Sequence, residues 1–157
     1  MDGSVDTQSK VGYGAYLAVS ETDVSLSELK QRVKIKRFEQ TSSTRLELQT
    51  LLWALGDISL LNHHITIYTD SQNIIGLPAR RHRLEQNKYH SSQGKLLKNY
   101  LLYQQFYQWT DQFDCQLIKV TGHQPTTQKE TLDQFFSLVD KASRKALRED
   151  LRHREDG

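Results

Sequence analysis

Four carboxylates of this chain stand where a folded α/β domain would gather reactive groups. Each lies at a predicted strand or on the sheet-facing edge of a predicted helix: Asp2, Glu47, Asp70 and Asp140. Clustered carboxylates repel one another, and without a counter-charge some of them keep a proton. Divalent cations remove this conflict, because Mg²⁺ prefers oxygen ligands and retains waters that can react. Two such ions about 3.5–4 Å apart clamp a phosphodiester, acting on the attacking water and on the leaving oxygen.

The element that must position Asp70 is a short strand. Residues 65–69 combine four β-branched residues with Tyr68, which is typical of a buried strand. Asp70 follows directly, and the next residues open a helix. A lone Asp at this place usually caps that helix. The three other carboxylates favour a functional role, because ligands of open α/β sheets bind outside the carboxyl ends of the strands.

Hydrophobic periodicity and turn residues predict the remaining elements. Glu47 falls on the edge of an apolar helical stripe, and Asp140 follows Val139 on the apolar face of the last helix. Pro78 is expected to stop a short helix after Asp70, which leaves a basic connector over residues 79–92. The other predicted strands are residues 12–19, 32–38 and 116–120, and the other predicted helices are residues 44–55, 96–109 and 127–148.

Composition favours one soluble domain. The chain has 157 residues, of which 36% are hydrophobic and 25% charged, with a net charge of +2. This length can bury a sizeable core without disulfides, and the mild charge requires any nucleic-acid contact to come from a local patch. The single cysteine, Cys115, excludes an internal disulfide and suits a reducing compartment. No secretory signal or membrane-spanning stretch is evident, so we expect a cytoplasmic protein without a membrane role.

Six short segments, taken in order, resemble the type 1 ribonucleases H. Each is a weak signal alone, and the resemblance rests on their common order and compatible spacing over nearly the whole chain. The segments are Asp2-Gly3-Ser4, Gly12-Tyr13-Gly14-Ala15, Thr44-Arg45-Leu46-Glu47-Leu48, Tyr68-Thr69-Asp70-Ser71-Gln72, Val120-Thr121-Gly122-His123 and Val139-Asp140-Lys141-Ala142.

The resemblance implies an α/β fold of the ribonuclease H type, with a mixed five-stranded sheet of order 3-2-1-4-5 flanked by helices. It implies a monomer that hydrolyses the RNA strand of RNA–DNA hybrids and leaves 5′-phosphate and 3′-hydroxyl ends. By similarity, the four carboxylates would hold two Mg²⁺ ions, or Mn²⁺ in their place. His123, on a loop, would assist proton transfer or product release.

The same resemblance assigns substrate contacts. Hydroxyl and amide side chains suit minor-groove edges and 2′-hydroxyls, and the basic connector matches the family's basic handle. The hybrid-contacting positions are Ser4, Ser42, Ser43, Thr44 and Gln72. The positions for the DNA strand are Asn99 and Tyr103, and those of the handle are Arg80, Arg81, Arg83 and Lys88.

Only Met1 precedes Asp2, whereas the family's first catalytic aspartate lies within a strand. We therefore expect one domain over residues 1–150 with a truncated first strand, followed by a frayed tail over 151–157. Two alternatives stay open. The chain could be a hybrid-binding module that has lost its chemistry, or a nuclease of the wider integrase group that acts on DNA. Arg45 two residues before Glu47 and the Gly122-His123 pair favour the ribonuclease.

Overall fold

The computed structural model of the chain describes residues 1–19, 25–58, 64–120 and 126–156. The strands are β1 (Asp2–Asp6), β2 (Val11–Tyr16), β3 (Lys34–Phe38), β4 (His64–Thr69) and β5 (Asp114–Lys119). The helices are α1 (Leu26–Arg32), α2 (Ser43–Ile58), α3 (Gln72–Ile75), α4 (Leu77–Gln86), α5 (Tyr100–Gln112) and α6 (Thr126–Asp156). None of the helices in these ranges is long and apolar enough to cross a membrane.

The strands form two hydrogen-bonded pieces. β1, β2 and β3 are antiparallel neighbours in the order β1-β2-β3, with Asp2 opposite Ala15. β4 and β5 are parallel, with Thr69 opposite Lys119. The parallel pair places the ends of both strands, and therefore Asp70, at one edge. Within each piece the neighbours are those of the predicted order 3-2-1-4-5.

The predicted pairing of β1 with β4 is replaced by a single hydrogen bond in the described part of the chain. Over the described residues these two strands share no ladder. The Met1 ammonium instead donates to the Tyr68 carbonyl oxygen at 3.5 Å, which is the edge of hydrogen-bonding range. Asp2 consequently lies at the first residue of β1, beside the end of β4.

Helices α2 and α6 cover opposite faces of the antiparallel piece. Successive residues of a strand point to opposite faces. At Gly3, a Cβ atom would lie 2.9 Å from Leu46 Cδ2 of α2. At the next residue, Ser4 Oγ lies 3.1 Å from Ser143 Oγ of α6. Side chains of α2 and α6 therefore reach the start of β1 from its two sides.

The hydrophobic core holds α2 and α5 against β4 and the α3–α4 segment. Its buried members share apolar or aromatic side chains, and the Tyr107 hydroxyl donates to the Leu77 carbonyl oxygen at 2.7 Å. Burial of a phenolic group is stabilised when its O–H finds such a partner. The cluster comprises Leu48, Leu51, Leu55, Ile65, Ile74, Leu77, Tyr89, Tyr103, Phe106 and Tyr107.

The prediction of a basic connector over residues 79–92 is wrong for residues 79–86, which are helical. Residues 77–86 form helix α4, and Pro78 lies in its first turn. Proline is favoured there because the N–H groups of the first turn have no helical partner. Pro78 thus begins a new helix, and the chain turns at Gly76 between α3 and α4.

Several further boundaries differ from the sequence predictions: α5 begins at Tyr100 rather than at residue 96, and β2 ends at Tyr16 rather than at residue 19. Residues 26–32 form α1, so the strand predicted over residues 32–38 begins at Lys34. Ser25 caps α1 by accepting the Glu28 N–H at 3.3 Å, the kind of signal that marks a helix start. The tail predicted to fray over residues 151–157 continues α6 through Asp156.

Candidate active site

Strand β4 delivers Asp70 to the edge of the sheet, as the sequence predicts. The preceding residue, Thr69, is 2% exposed, and its carbonyl oxygen accepts the Val120 N–H at 2.9 Å. Its hydroxyl oxygen accepts the Ser71 N–H at 3.1 Å. Asp70 itself is exposed. These bonds hold the backbone on both sides of Asp70, which places this residue outside the carboxyl end of β4, where open α/β sheets bind ligands.

Asp2 and Asp140 approach each other from β1 and α6. Asp2 is half-buried, and its Oδ1 accepts the Gly3 N–H at 2.8 Å. Burial raises the pKa of Asp2 to about 6; the Gly3 bond opposes this, while a hydrogen bond with Asp140 and the charges of Asp70 and Asp140 increase it. A hydrogen bond between two carboxyl groups needs a proton on one of them. Asp2 therefore keeps its proton to a higher pH than an isolated aspartate does.

Helix α2 brings Glu47 to the same place. Ser71 Oγ donates to Glu47 Oε2 at 2.6 Å and accepts the Ile74 N–H at 3.2 Å as the cap of α3. Ser71 is only 8% exposed, so this bond fixes the direction of the carboxylate. One cavity is lined by Glu47 together with Asp2 and Asp70. Three of the four predicted carboxylates therefore face a common space.

Two cations lie against these carboxylates. Arg144 Nε donates to Asp140 Oδ1 at 2.9 Å along α6. Burial lowers the pKa of the Met1 ammonium, and the nearby charges of Asp2 and Asp70 oppose that shift. Arg144 neutralises part of the negative charge and would compete with a metal ion for it, whereas burial disfavours the charged form of Met1.

The predicted hybrid-contacting residues at the start of α2 have separate positions. Ser42 precedes the helix, and its Oγ accepts the Arg45 N–H at 3.2 Å, so it acts as a cap. Ser43 lines the carboxylate cavity, and Thr44 is exposed beside it. Ser43 and Thr44 are therefore the members that present hydroxyl groups next to the carboxylates.

Two other predicted contact residues, Gln72 and Asn99, form hydrogen bonds that the sequence did not predict. Gln72 is exposed at the start of α3, and its Oε1 accepts Lys119 Nζ at 2.6 Å. Asn99 precedes α5, and its Oδ1 accepts Arg45 Nη1 at 3.0 Å. Tyr103 is 9% exposed and belongs to the core. Gln72 and Asn99 thus present one amide edge each, whereas the Tyr103 ring is mainly a packing group.

The four residues of the predicted basic handle differ in their contacts: two are bonded within the protein and two are exposed. Arg80 Nη2 donates to the backbone and side-chain oxygens of Asn73 at 2.7 and 2.9 Å. Arg81 binds both carboxylate oxygens of Asp111, at 2.6 and 2.8 Å. These two guanidinium groups are committed to holding α4 against its neighbours. The exposed members of the handle are Arg83 and Lys88.

Ser4 faces α6 rather than the cavity. Its hydroxyl lies 3.1 Å from that of Ser143, which is fully buried and also donates to the Asp140 carbonyl oxygen at 3.1 Å. This chain of hydroxyls fastens β1 to the turn of α6 that carries Asp140. His123, predicted to act in proton transfer, lies outside the described residues.

A family model described as RNase H matches residues 1–141, a span that carries all four carboxylates. The chain belongs to the RNase H family. It is therefore a nuclease, a hydrolase of phosphodiester bonds, and nucleic acid is its class of binding partner. The same match confirms the predicted family and the ribonuclease H-like fold with a mixed arrangement of strands and flanking helices.

Two known proteins show how far the likeness extends. A protein named Ribonuclease H from Idiomarina loihiensis is 29% identical over 140 residues, which cover 88% of this chain and 84% of that protein. A solved structure titled "Structure of the foamy viral protease-reverse transcriptase in complex with dsDNA" is similar with a TM-score of 0.65 and 14% identity, covering 90% of each chain. At that identity the second likeness concerns the fold alone.

RNase H enzymes generally depend on divalent cations. The four candidate carboxylates of this protein are suitable ligands for such an ion. Within the described ranges, no three Asp, Glu, His or Cys side chains are already arranged as a finished metal site. Glu47 is bonded to Ser71 and Asp140 to Arg144, so these side chains must turn to share an ion. All four candidate donors are carboxylates, which hard cations prefer, and the raised pKa of Asp2 marks charge that a cation would neutralise.

Sequence reasoning assigned no contact to three residues that bond to predicted site residues: Ser71, Arg45 and Lys119. Ser71 carried a signal, since a serine after a strand-ending Asp and before a helix is a common cap. Arg45 and Lys119 bond to residues that are 54 and 47 positions away. Contacts over such separations depend on tertiary packing, and local pattern does not reveal them.

Replacing Ser71 by Ala is expected to weaken Mg²⁺ binding by about 10- to 100-fold, the effect of losing a partner of a metal ligand. The change frees Glu47 and also removes the α3 cap, which costs about 1 kcal/mol of stability. Ser25→Ala is the matched control, because the Ser25 hydroxyl caps α1 through the Glu28 N–H and does not hold a candidate metal donor. Calorimetric titration of both variants with Mg²⁺ measures the dissociation constant. Equal constants for Ser71→Ala and Ser25→Ala would show that the Ser71–Glu47 bond is unrelated to metal.

Replacing Asp2 by Asn should stabilise the metal-free protein at pH 7. The pKa of Asp2 is raised in the folded protein to about 6, so the native state binds its proton more tightly than the unfolded state. Its contribution to stability is present below pH 4 and is lost as the pH rises through about 6. Because Asp2 is half-exposed, we expect a gain of only about 1–2 kcal/mol for the variant at pH 7. Urea unfolding of both proteins in EDTA from pH 4 to 7 measures the difference, which should grow with pH; a constant difference contradicts the shift.

Proposed function

We propose that this RNase H family member is an endoribonuclease that hydrolyses the RNA strand of RNA–DNA hybrids with Mg²⁺ as its cofactor. The observation that carries the proposal is the cavity lined by Asp2, Glu47 and Asp70, with the Ser43 hydroxyl at its rim. Asp140 lies near this cavity, because its charge raises the pKa of Asp2 and the Ser143 hydroxyl of the same α6 turn lies 3.1 Å from that of Ser4 in β1. Acidic oxygen donors beside a hydroxyl-bearing helix start suit a metal-dependent reaction on a sugar–phosphate backbone.

The four carboxylates would hold two Mg²⁺ ions, or Mn²⁺ in their place. Bound there, the ions would supply an activated water and stabilise the leaving oxygen, which yields 5′-phosphate and 3′-hydroxyl ends. The chain itself orients the donors. Ser71 directs Glu47, and the Ser4–Ser143 pair holds the α6 turn of Asp140 against β1. His123 is proposed to assist proton transfer or product release.

Recognition of the hybrid is proposed to come from exposed polar groups around the cavity. Ser43, Thr44 and Gln72 present hydroxyl and amide groups, which match the 2′-hydroxyls and base edges of a wide, shallow minor groove. Asn99 would face the DNA strand, and Arg83 and Lys88 would contact phosphates. A requirement for 2′-hydroxyls on one strand restricts cleavage to RNA. The same proposal includes a monomer that works in the cytoplasm.

The proposal is tested by incubating the purified chain in Mg²⁺ with a labelled RNA–DNA hybrid, duplex RNA, duplex DNA and the two single strands. We expect cleavage of the hybrid and little of the other substrates. Cleavage of duplex DNA at a similar rate would favour the wider nuclease and integrase group instead. Absence of cleavage from every substrate contradicts the proposal.

Hybrid binding without turnover is a second candidate, and one observation favours it. Arg144 Nε donates to Asp140 Oδ1 at 2.9 Å, so a guanidinium charge already occupies one of the four candidate metal ligands. Under this hypothesis the hybrid is retained in a gel-shift assay, yet its RNA strand stays intact at every Mg²⁺ concentration. Loss of both retention and cleavage contradicts both candidates.

A further inference from the structure

Lys119 lies at the edge of the sheet that also carries Asp70. It is the last residue of β5 and pairs in register with Thr69, the residue before Asp70. Its side chain is exposed, and Nζ donates to Gln72 Oε1 at 2.6 Å. Lys119 thus joins the end of β5 to the first residue of α3, next to Thr69 and Ser71, which line the carboxylate cavity.

Lys119 forms no ion pair with the residues that the structure describes. Among those residues no carboxylate oxygen lies within 4.0 Å of its Nζ, and its partner is the neutral Gln72 amide. Arg81, by contrast, is bound to Asp111 and Glu85. An exposed ammonium without a carboxylate partner, at the mouth of a phosphodiester site, is available to a substrate phosphate.

The Lys119 bond also sets the direction of the Gln72 amide. An ammonium can only donate hydrogen bonds, so the amide must turn its oxygen toward Lys119. The Nε2 group then points away as a donor of two hydrogen bonds. Adenine N3, thymine O2 and the 2′-hydroxyl oxygen accept hydrogen bonds in the minor groove, so this direction of the amide suits a hybrid.

We propose that Lys119 is a substrate-binding residue of this enzyme, which contacts a backbone phosphate and holds Gln72 with its donor group toward the nucleic acid. The proposal rests on the proposed function, because it needs a hybrid at this edge. Two properties follow from it. Removing the charge must lower the salt dependence of binding, and removing either member of the pair must reduce the effect of removing the other.

The test measures hybrid affinity at several salt concentrations in an Asp70→Asn background, which prevents cleavage. We expect Lys119→Gln to weaken binding by about five- to tenfold near 0.1 M salt and to reduce the slope of log affinity against log salt by about 0.7–0.9. Lys119→Arg should keep the slope. Lys30→Gln, an exposed lysine of α1, is the control for general charge and should behave as the parent.

A double-mutant cycle tests the pair itself. Gln72→Ala combined with Lys119→Gln should weaken binding less than the product of the two single effects. A salt slope for Lys119→Gln equal to that of Lys30→Gln, or fully multiplicative effects in the cycle, would overturn the proposal. If the parent protein does not bind the hybrid at all, the proposed function fails together with it. Circular dichroism spectra of all variants show whether the fold is retained.

Discussion

Asp70→Asn should reduce cleavage of an RNA–DNA hybrid by more than about 100-fold, the upper loss expected for a mere partner of a metal ligand. Asn keeps the size of the side chain and removes its charge. Because Asp70 is exposed and lies after the buried Thr69, the change should leave the fold intact. The cleavage rate in excess Mg²⁺, together with the urea unfolding midpoint, measures both effects.

Asp114→Asn is the control for Asp70→Asn. Asp114 is an exposed carboxylate at the opposite end of the β4–β5 pair. Its Oδ2 lies 2.8 Å from His64 Nδ1. The two positions are about 20 Å apart along the strands. A surface pair of this kind contributes at most about 1 kcal/mol. Full activity in Asp70→Asn, or equal losses in both variants, would remove Asp70 from the proposed active site.

Gly14→Ala should destabilise the protein by about 3 kcal/mol, the upper end of the usual effect of overpacking. A Cβ atom at Gly14 would lie 2.1 Å from Thr50 Oγ1 and 3.0 Å from the Thr50 Cβ. Thr50 is 1% exposed, so the clash must move α2 away from β2. Glu47 lies one turn earlier on α2, and cleavage activity should fall as well. Urea unfolding and the hybrid cleavage rate measure the two effects.

Gly56→Ala is the matched control on α2. A Cβ atom there meets no heavy atom within 4 Å, and the residue is exposed. Ala is favoured over Gly inside helices, so this change should stabilise the protein by about 0.5–1 kcal/mol without a loss of activity. A Gly14→Ala protein as stable as Gly56→Ala would show that α2 does not approach β2 as closely as the structure has it.

The sequence was sufficient to predict the main secondary-structure elements that carry the candidate active site. The strand before Asp70 and the helix of Glu47 follow from hydrophobic periodicity, because burial imposes that period on the residues themselves. Pro78 was misinterpreted, since proline is compatible with both the end of one helix and the first turn of the next. The cap formed by Ser25 and followed by Glu28 was a usable signal for α1 that the prediction did not apply.

The hydrogen-bond partners of the predicted site residues could not be predicted from the sequence. Arg81 was predicted to face nucleic acid, but the Asp111 carboxylate that binds it lies 30 residues further along the chain. Ser4 was predicted to contact the hybrid, and its hydroxyl meets Ser143, which is 139 residues away. Residue type shows what a side chain is able to bind. Which partner it binds is decided by packing of distant elements.

The measurement that tests the central claim most directly is cleavage of one RNA–DNA hybrid whose two strands carry different end labels. In Mg²⁺ we expect the RNA strand alone to be cut, with 3′-hydroxyl and 5′-phosphate termini on the fragments. The same reaction in EDTA, or with Asp70→Asn, should leave both strands intact. Cutting of the DNA strand, or RNA cleavage that persists in EDTA, would contradict a metal-dependent ribonuclease built on these carboxylates.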